Sequence, residues 1–396
     1  MDRPFRLRYP AVMGDFFPIK RIDHLEFYVG NARQAAAFYT NCFGFTQTGY
    51  RGLETGSRDV ASYLLEQGDI RFILTSALNP ENPVARFVLE HGDGVAVVAL
   101  EVPDAAQAFE ESTSRGADPA IGFTEVTDEG GVLRSAAVHA YGDTLIKFVE
   151  REDYAGLFAP GFRPAGRGRS LDAPPLARQE GRGGSLDPPA HTGTGLKAID
   201  HIVGNVELGA MDRWVRFFAE TMGFSQLVHY DDKKISTEYS ALMSKVMQDG
   251  TGRIKFPINE PATGKRKSQI EEYLEYYRGP GVQHIACATG DIVRTVATLR
   301  ERGVEFLRVP SAYYEDLEQR VGKIDEPVDT LAELGILADS DEEGYLLQIF
   351  TEPVQDRPTL FFEVIERHGS RGFGAGNFKS LFEAIEREQA RRGNLV

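Results

Sequence analysis

Cysteine is scarce in this chain: Cys42 and Cys287 are the only two in 396 residues. They stand far apart with no metal-ligand spacing, which excludes a disulfide scaffold and a zinc-finger-type site and leaves both thiols as core filler. Basic charge is also short. Against 59 acidic residues stand 44 basic ones, a net charge of −15. That balance argues against nucleic acid or an anionic membrane as a partner, since phosphate binding needs a basic face. No run of 18 or more apolar residues occurs, so no membrane span is expected. The opening Met1-Asp2-Arg3-Pro4-Phe5-Arg6 lacks the apolar core of a signal peptide. A reduced cytoplasm is the expected setting.

What the chain does have is a duplication. Arg21-Ile22-Asp23-His24-Leu25 returns as Ala198-Ile199-Asp200-His201-Ile202, and Gly94-Val95-Ala96-Val97 returns as Gly281-Val282-Gln283-His284. From Gly94 the register runs without a gap, so Asp104 meets Asp291, Arg115 meets Arg302 and Gly116 meets Gly303. Length and apolar content suit two large domains. These are placed at 15–160 and 196–370, with 161–195 as a Pro/Gly-rich linker and 371–396 as a C-terminal helix. The linker repeats Ser170-Leu171-Asp172 as Ser185-Leu186-Asp187 and has too little apolar surface to order itself.

Within each half the pattern reads strand, helix, several strands, twice over. Ile22 to Val29 alternates like a strand, and Ala35, Phe38 and Tyr39 follow at helical spacing before Gly44. Trp214, Phe217 and Phe218 do the same before Gly223. Asp104–Arg115 and Asp291–Arg302 read as helices ended by glycine. The expectation is an α+β fold of four βαβββ modules, paired within each half into a curved sheet around a cavity.

The two copies differ where chemistry would sit. His284 stands where the first half has Val97, and Glu363 where it has Lys147 or Phe148, depending on one gap. Strand alternation puts Phe361, Glu363 and Ile365 on one face, and His284 on the face opposite Gln283. A carboxylate among apolar neighbours is costly unless paired, and two imidazoles with one carboxylate form the ligand set of non-haem Fe(II) oxygenases. The candidate ligands are therefore His201, His284 and Glu363. Taken singly, each histidine reads more simply as a satisfied core residue. The loss of two partners from one copy tips the balance. His24, without partners, is expected to be structural and held by a backbone hydrogen bond.

Polar residues recur near strand ends around this set: Ser244, Asn259, Gln269, Gln283 and Gln348. Uncharged amides suit a neutral polar group such as a phenol. Gln348 and Phe350 share a strand face. Lys265-Arg266-Lys267 reads as a solvated loop, followed by a capping box from Ser268 and Glu271. Glycines beside Phe373 and Phe378 suggest a hinge before an amphipathic terminal helix with Asn377 as N-cap, serving either as a lid or as a helix docked permanently on the core.

With these motifs, and with Pro257-Ile258-Asn259-Glu260-Pro261, Tyr313-Tyr314, Leu346-Leu347-Gln348-Ile349-Phe350, Pro358-Thr359-Leu360-Phe361-Phe362-Glu363 and Gly374-Ala375-Gly376-Asn377-Phe378, the chain resembles the 4-hydroxyphenylpyruvate dioxygenases of the vicinal oxygen chelate superfamily over nearly its whole length. One departure is the linker, longer and richer in Pro and Gly than the family usually carries. The resemblance implies Fe(II) held by His201, His284 and Glu363 in the C-terminal barrel, with O2 as co-substrate. It implies that Phe350 and Phe378 sandwich the substrate ring, with Phe361 and Phe373 nearby. Ser244, Asn259, Gln269, Gln283 and Gln348 would orient the phenol and the keto acid. An aromatic 2-oxo acid would be oxidatively decarboxylated, hydroxylated on the ring and rearranged to homogentisate with release of CO2, a step in tyrosine and phenylalanine degradation, with no protein acid or base assigned. The expected assembly is a homo-oligomer, dimer or tetramer. The alternatives are 4-hydroxymandelate synthase, a metal-free ligand-binding protein on the same modules, and a glyoxalase-like metal isomerase.

Overall fold

The computed structural model describes residues 15–165, 193–230, 241–262 and 267–393. Most of the expected linker (166–192) and Lys265 and Arg266 of the basic run lie outside the described residues. Four βαβββ units follow one another. The first comprises β1 (Arg21–Tyr28), α1 (Ala32–Asn41), β2 (Thr46–Arg51), β3 (Val60–Gln67) and β4 (Ile70–Ala77). Helix α2 (Pro83–His91) leads to the second: β5 (Gly94–Glu101), α3 (Ala105–Ser114), β6 (Pro119–Asp128), β7 (Gly131–His139) and β8 (Leu145–Glu150). A short β9 (Arg163–Pro164) follows. The third unit is β10 (Ala198–Asn205), α4 (Met211–Phe217), β11 (Ser225–Tyr230), β12 (Ala241–Gln248) and β13 (Lys255–Ala262), with α5 (Gln269–Tyr277) after it. The fourth is β14 (Gly281–Ala288), α6 (Ile292–Glu301), β15 (Leu337–Asp341), β16 (Gly344–Phe350) and β17 (Phe361–His368). It differs from its twin by two short helices, α7 (Leu317–Val321) and α8 (Val328–Leu334), inserted before β15. The chain then forms α9 (Phe378–Arg391).

Helix boundaries follow local chemistry. Asp104 and Asp291 cap α3 and α6 by accepting from Gln107 N (2.8 Å) and Arg294 N (2.9 Å), and Gly116 and Gly303 take the positive φ that stops them. Ser268 and Glu271 make the reciprocal capping box on α5. Helix α4 does not stop at Phe218. It widens into a π-turn over Phe218–Met222 that ends at Gly223. The expected N-cap of α9 is corrected: Asn377 has helical φ and ψ and makes no cap bond, and its side chain instead accepts from the Tyr313 hydroxyl at 2.6 Å.

The strand orders are β6-β7-β8-β5-β1-β4-β3-β2-β9 and β11-β12-β13-β10-β14-β17-β16-β15. Apart from β9 the two sheets have the same topology, each pairing two modules through a central antiparallel contact, β1 with β5 and β10 with β14. Each sheet curls into a half-barrel. Alternation on β17 divides its duties: Phe361 and Glu363 face into the C-terminal barrel, while Phe362 packs outward against the first half. Its ring centroid lies 4.9 Å from that of Phe43, 5.8 Å from Tyr39 and 6.0 Å from Phe72. His91 bridges the halves as well, with Nδ1 2.6 Å from Tyr277 O and its ring stacked on Tyr277.

Phe362→Ala should destabilise the chain by about 3–5 kcal/mol, the cost of emptying a fully packed aromatic site. Denaturant unfolding measures it, and a change below about 1 kcal/mol would show that the halves do not depend on this ring.

Candidate metal centre

The site begins with irregularities in two strands. In β10 the register against β14 slips between Ile199 and His201, and in β14 it slips between Val282 and His284. Each slip is a β-bulge, which adds a residue and re-aims side chains. The first places Asp200 beside its neighbour, with Asp200 Oδ1 2.8 Å from His201 Nδ1. The second places Gln283 Oε1 2.9 Å from His284 Nδ1. Strict alternation would have sent Gln283 to the far face, and the bulge overrides it. In both rings Nδ1 is engaged, which leaves Nε2 to face the barrel interior.

Glu363 arrives from β17, opposite Ala286 on β14 and Phe350 on β16. Its Oε2 lies 3.2 Å from His201 Nε2 and 3.4 Å from His284 Nε2, and the three ligand-type atoms fall within 4.8 Å of one another. Bonds of about 2.0–2.2 Å put neighbouring donors of an octahedral ion roughly 3 Å apart. The residues therefore fit a divalent metal, with two nitrogens and one carboxylate on one side and the remaining positions open. Burial would raise the Glu363 carboxyl, but the two imidazoles bring it to about 2, so it is an anion throughout the neutral range. Among the described residues a second group, Glu326, Glu366 and His368, also converges. It lies on the partly exposed outside of the sheet, where Glu366 accepts from Ile292 N and His368 stacks on Tyr345.

Two residues that sequence reasoning gave no role hold the centre together. Arg367 donates through Nε and Nη2 to both oxygens of Asp200, at 2.7 and 2.8 Å. Burial would raise the Asp200 carboxyl, yet Arg367 and His201 hold it well below the usual carboxylate range. The signal was present: Asp-His recurs as Asp23-His24, and an arginine closes both copies. Arg151 grips Asp23 as Arg367 grips Asp200. His24 is accordingly held by a carboxylate, Asp23 Oδ1 at 2.6 Å, and not by the backbone group expected for it.

The aromatic candidates form walls. Phe361 stacks on His284 (4.8 Å, 19°) and Phe350 meets the same ring edge-on at 6.1 Å. Phe373 meets His201 edge-on at 5.1 Å. Phe350 and Phe361 belong to a buried cluster with Leu307 and Leu337, whereas Phe378 packs with Phe373, Val246 and Ile270 in another. Ser244 and Asn259 are buried and directly opposite on β12 and β13. Gln348 lies opposite Ile365, on the Glu363 face of the sheet. A Cβ on Gly374 would stand 2.0 Å from Gln348 Nε2, and φ there is +70°, so only glycine lets the chain pass over this amide. Gln269 and Gln283 line a small cavity of about 30 Å³ behind Phe361, bounded by Ile385 and Arg392 near the chain's end. Arg392 Nη2 donates to Glu272 Oε2 at 2.8 Å, and Gly376 N to Asp339 at 3.0 Å, so α9 is docked over the barrel.

Asp200→Asn should weaken divalent-metal affinity by about 10- to 100-fold, as losses of a histidine's orienting partner do, read by calorimetric titration. The carboxylate's contribution to stability is fully present above its unfolded pKa of about 3.9. It is lost as pH falls through the lower folded value, so the variant should lose this part of the acid dependence. An unchanged metal affinity would reject the orienting role.

The model of the Glyoxalase/Bleomycin resistance protein/Dioxygenase superfamily matches residues 21–137 and 198–349. A 4-hydroxyphenylpyruvate dioxygenase of Danio rerio is 48% identical over 379 residues, covering 94% of this chain and 91% of that protein. One of Aspergillus fumigatus is 46% identical over 395 residues, covering 95% and 94%. Among solved structures, a mutant of 4-hydroxymandelate synthase from Streptomyces coelicolor superposes with a TM-score of 0.80 at 33% identity, covering 94% of this chain and 99% of that one. The chain belongs to the 4-hydroxyphenylpyruvate dioxygenase family of the vicinal oxygen chelate (glyoxalase/dioxygenase) superfamily.

Proposed function

We propose that this chain is an Fe(II)-dependent dioxygenase that converts 4-hydroxyphenylpyruvate and O2 to homogentisate and CO2, in tyrosine and phenylalanine degradation. The observation that carries the reading is the convergence of His201, His284 and Glu363 inside the C-terminal barrel of a chain this similar to dioxygenases of that name. Ferrous iron, when bound, supplies the chemistry with O2 that protein side chains lack. His201, His284 and Glu363 would hold it, and their single carboxylate leaves one net positive charge for the carboxylate of a 2-oxo acid to neutralise. Phe350 and Phe378, drawn from separate clusters, suit the two faces of the substrate ring, with Phe361 and Phe373 excluding water beside the histidines. Ser244, Asn259, Gln269, Gln283 and Gln348 would orient the phenol and the keto acid, and their uncharged groups avoid fixing a proton on either. No side chain is given an acid or base role.

On this reading residues 15–160 form the metal-free domain, 161–195 the linker, 196–370 the catalytic domain and 371–396 a closing helix. Self-association has a candidate surface in β6, an edge strand on which Ile121, Phe123 and Val126 are exposed. The two free cysteines suit a reduced cytoplasm, and no helix among the described residues is long and apolar enough to cross a membrane. The likeness to 4-hydroxymandelate synthase keeps that activity as the second reading.

Chromatography of the product formed by the iron-loaded enzyme from 4-hydroxyphenylpyruvate should give homogentisate; hydroxymandelate would move the assignment to the second reading. Glu363→Gln should lose both tight iron binding and turnover, because the metal loses its only charged protein ligand. Near-normal activity would refute the ligand set. His24→Asn should keep turnover per bound iron and lose stability instead. Loss of iron-dependent turnover in a folded variant would place the metal in the wrong half.

A further inference from the structure

The N-terminal barrel preserves the architecture of the metal centre position by position. Lys147 lies opposite Ala99 on β5 as Glu363 lies opposite Ala286 on β14, which settles the gap left open in the sequence. Ser62 faces Thr75 where Ser244 faces Asn259, and Ser135 faces Val149 where Gln348 faces Ile365. Both bulges recur in β1 and β5, the first carrying Asp23-His24 and the second Ala96 in place of Gln283. A cavity of about 100 Å³ remains at this place, lined by His24, Glu26, Arg51, Ser62, Ser135 and Lys147 and walled by Phe158 and Phe162.

The charges in this cavity do not balance. Asp23 is committed to Arg151 and His24. Glu26 accepts from the Thr75 hydroxyl at 2.7 Å, and Thr75 in turn lies 2.9 Å from Ser62. Among the described residues no carboxylate oxygen lies within 4.0 Å of the Lys147 amine or the Arg51 guanidinium. Arg51 Nε is buried without a hydrogen-bond partner, its guanidinium 5.4 Å from the Phe162 ring. Burial pushes the Lys147 amine down from its ordinary value, with Glu26 and Asp23 opposing the shift. Arg51 and Lys147 against Glu26 leave a net charge of one among partly buried side chains, a costly arrangement unless an anion joins it.

We infer that the N-terminal barrel is a second ligand site, taking a small oxyanion between Lys147 and Arg51 where the C-terminal barrel holds its metal. The chemistry selects the ligand. Lys147 and Arg51 turn cationic donors to the cavity, whereas Ser62 gives its one hydrogen to Thr75, so the ligand must be an anion whose acceptors meet the two cations. The space exceeds the roughly 10–15 Å³ that one water needs on the same measure, enough for an anion such as acetate, bicarbonate or phosphate. Loss of the second imidazole and exchange of the carboxylate for an amine exclude a metal ion, and the amine supplies the positive charge that a metal would have brought. This site does not depend on the reaction assigned to the other barrel.

The test is thermal unfolding of the full-length, iron-loaded protein at constant ionic strength, with chloride replaced in turn by acetate, bicarbonate and phosphate. At least one of them should raise the melting temperature progressively with concentration, and the anion giving the largest rise identifies the class. Lys147→Met should abolish that rise while leaving turnover intact. Arg51→Gln should shift its concentration dependence by roughly 10- to 100-fold, the worth of one charge-assisted hydrogen bond. If Lys147→Met does not fold, Arg51→Gln decides alone. An equal response of wild type and variants, or no response to any of the three anions, would mean that the cavity holds only water, and the proposal falls.

Discussion

In each barrel a buried carboxylate is held between an arginine fork and an imidazole, and the rest of the molecule is arranged around that chain of contacts. In the C-terminal half it runs from Arg367 through Asp200 to His201. The bulge in β10 makes it possible, because only an extra residue lets two neighbours on one strand turn toward each other. The arginine neutralises a carboxylate that burial would otherwise protonate. The carboxylate in turn fixes which nitrogen of His201 is left for the interior. The fold itself orients His201 in this way, and Glu363 and His284 bring the three candidate donor atoms within 4.8 Å of one another.

The same chain of contacts, with Arg151, Asp23 and His24, recurs in the first half, where no candidate metal cluster converges among the described residues. This separates scaffold from chemistry. The orienting device is present in both halves, whether or not a candidate ligand set stands beside it. The replacements at Val97 and Lys147 are what distinguish the two interiors. A single barrel architecture thus carries a His/Glu cluster that could hold a metal ion in one copy and side-chain cations in the other, with no change of strand order.

Much of this was legible in the sequence, because the duplication supplied a comparison within one chain. Periodicity and glycine stops located the modules, and the unequal pair His284 and Val97 pointed to the residues that converge as candidate ligands. Legibility failed where geometry departs from a regular period. Alternation sent Gln283 away from His284, since a bulge has no period to detect. Asn377 has the composition of an N-cap but is drawn to Tyr313 by a tertiary contact. Arg367 carried no local signal, as its partner is 167 residues away, although its match to Arg151 would have exposed it. The insertion of α7 and α8 in the fourth module likewise has no counterpart from which to read it.

Strand β17 presents the candidate ligand Glu363 and an aromatic wall to one side and the Phe362 ring to the aromatic cluster of the first half on the other. Active-site precision and cohesion of the two halves are therefore carried by alternate residues of one backbone segment. Without the upstream half, Phe362 would lose the rings of Phe43, Tyr39 and Phe72 behind the strand that carries Glu363. The first copy therefore has a packing role behind that strand, whatever its own interior binds.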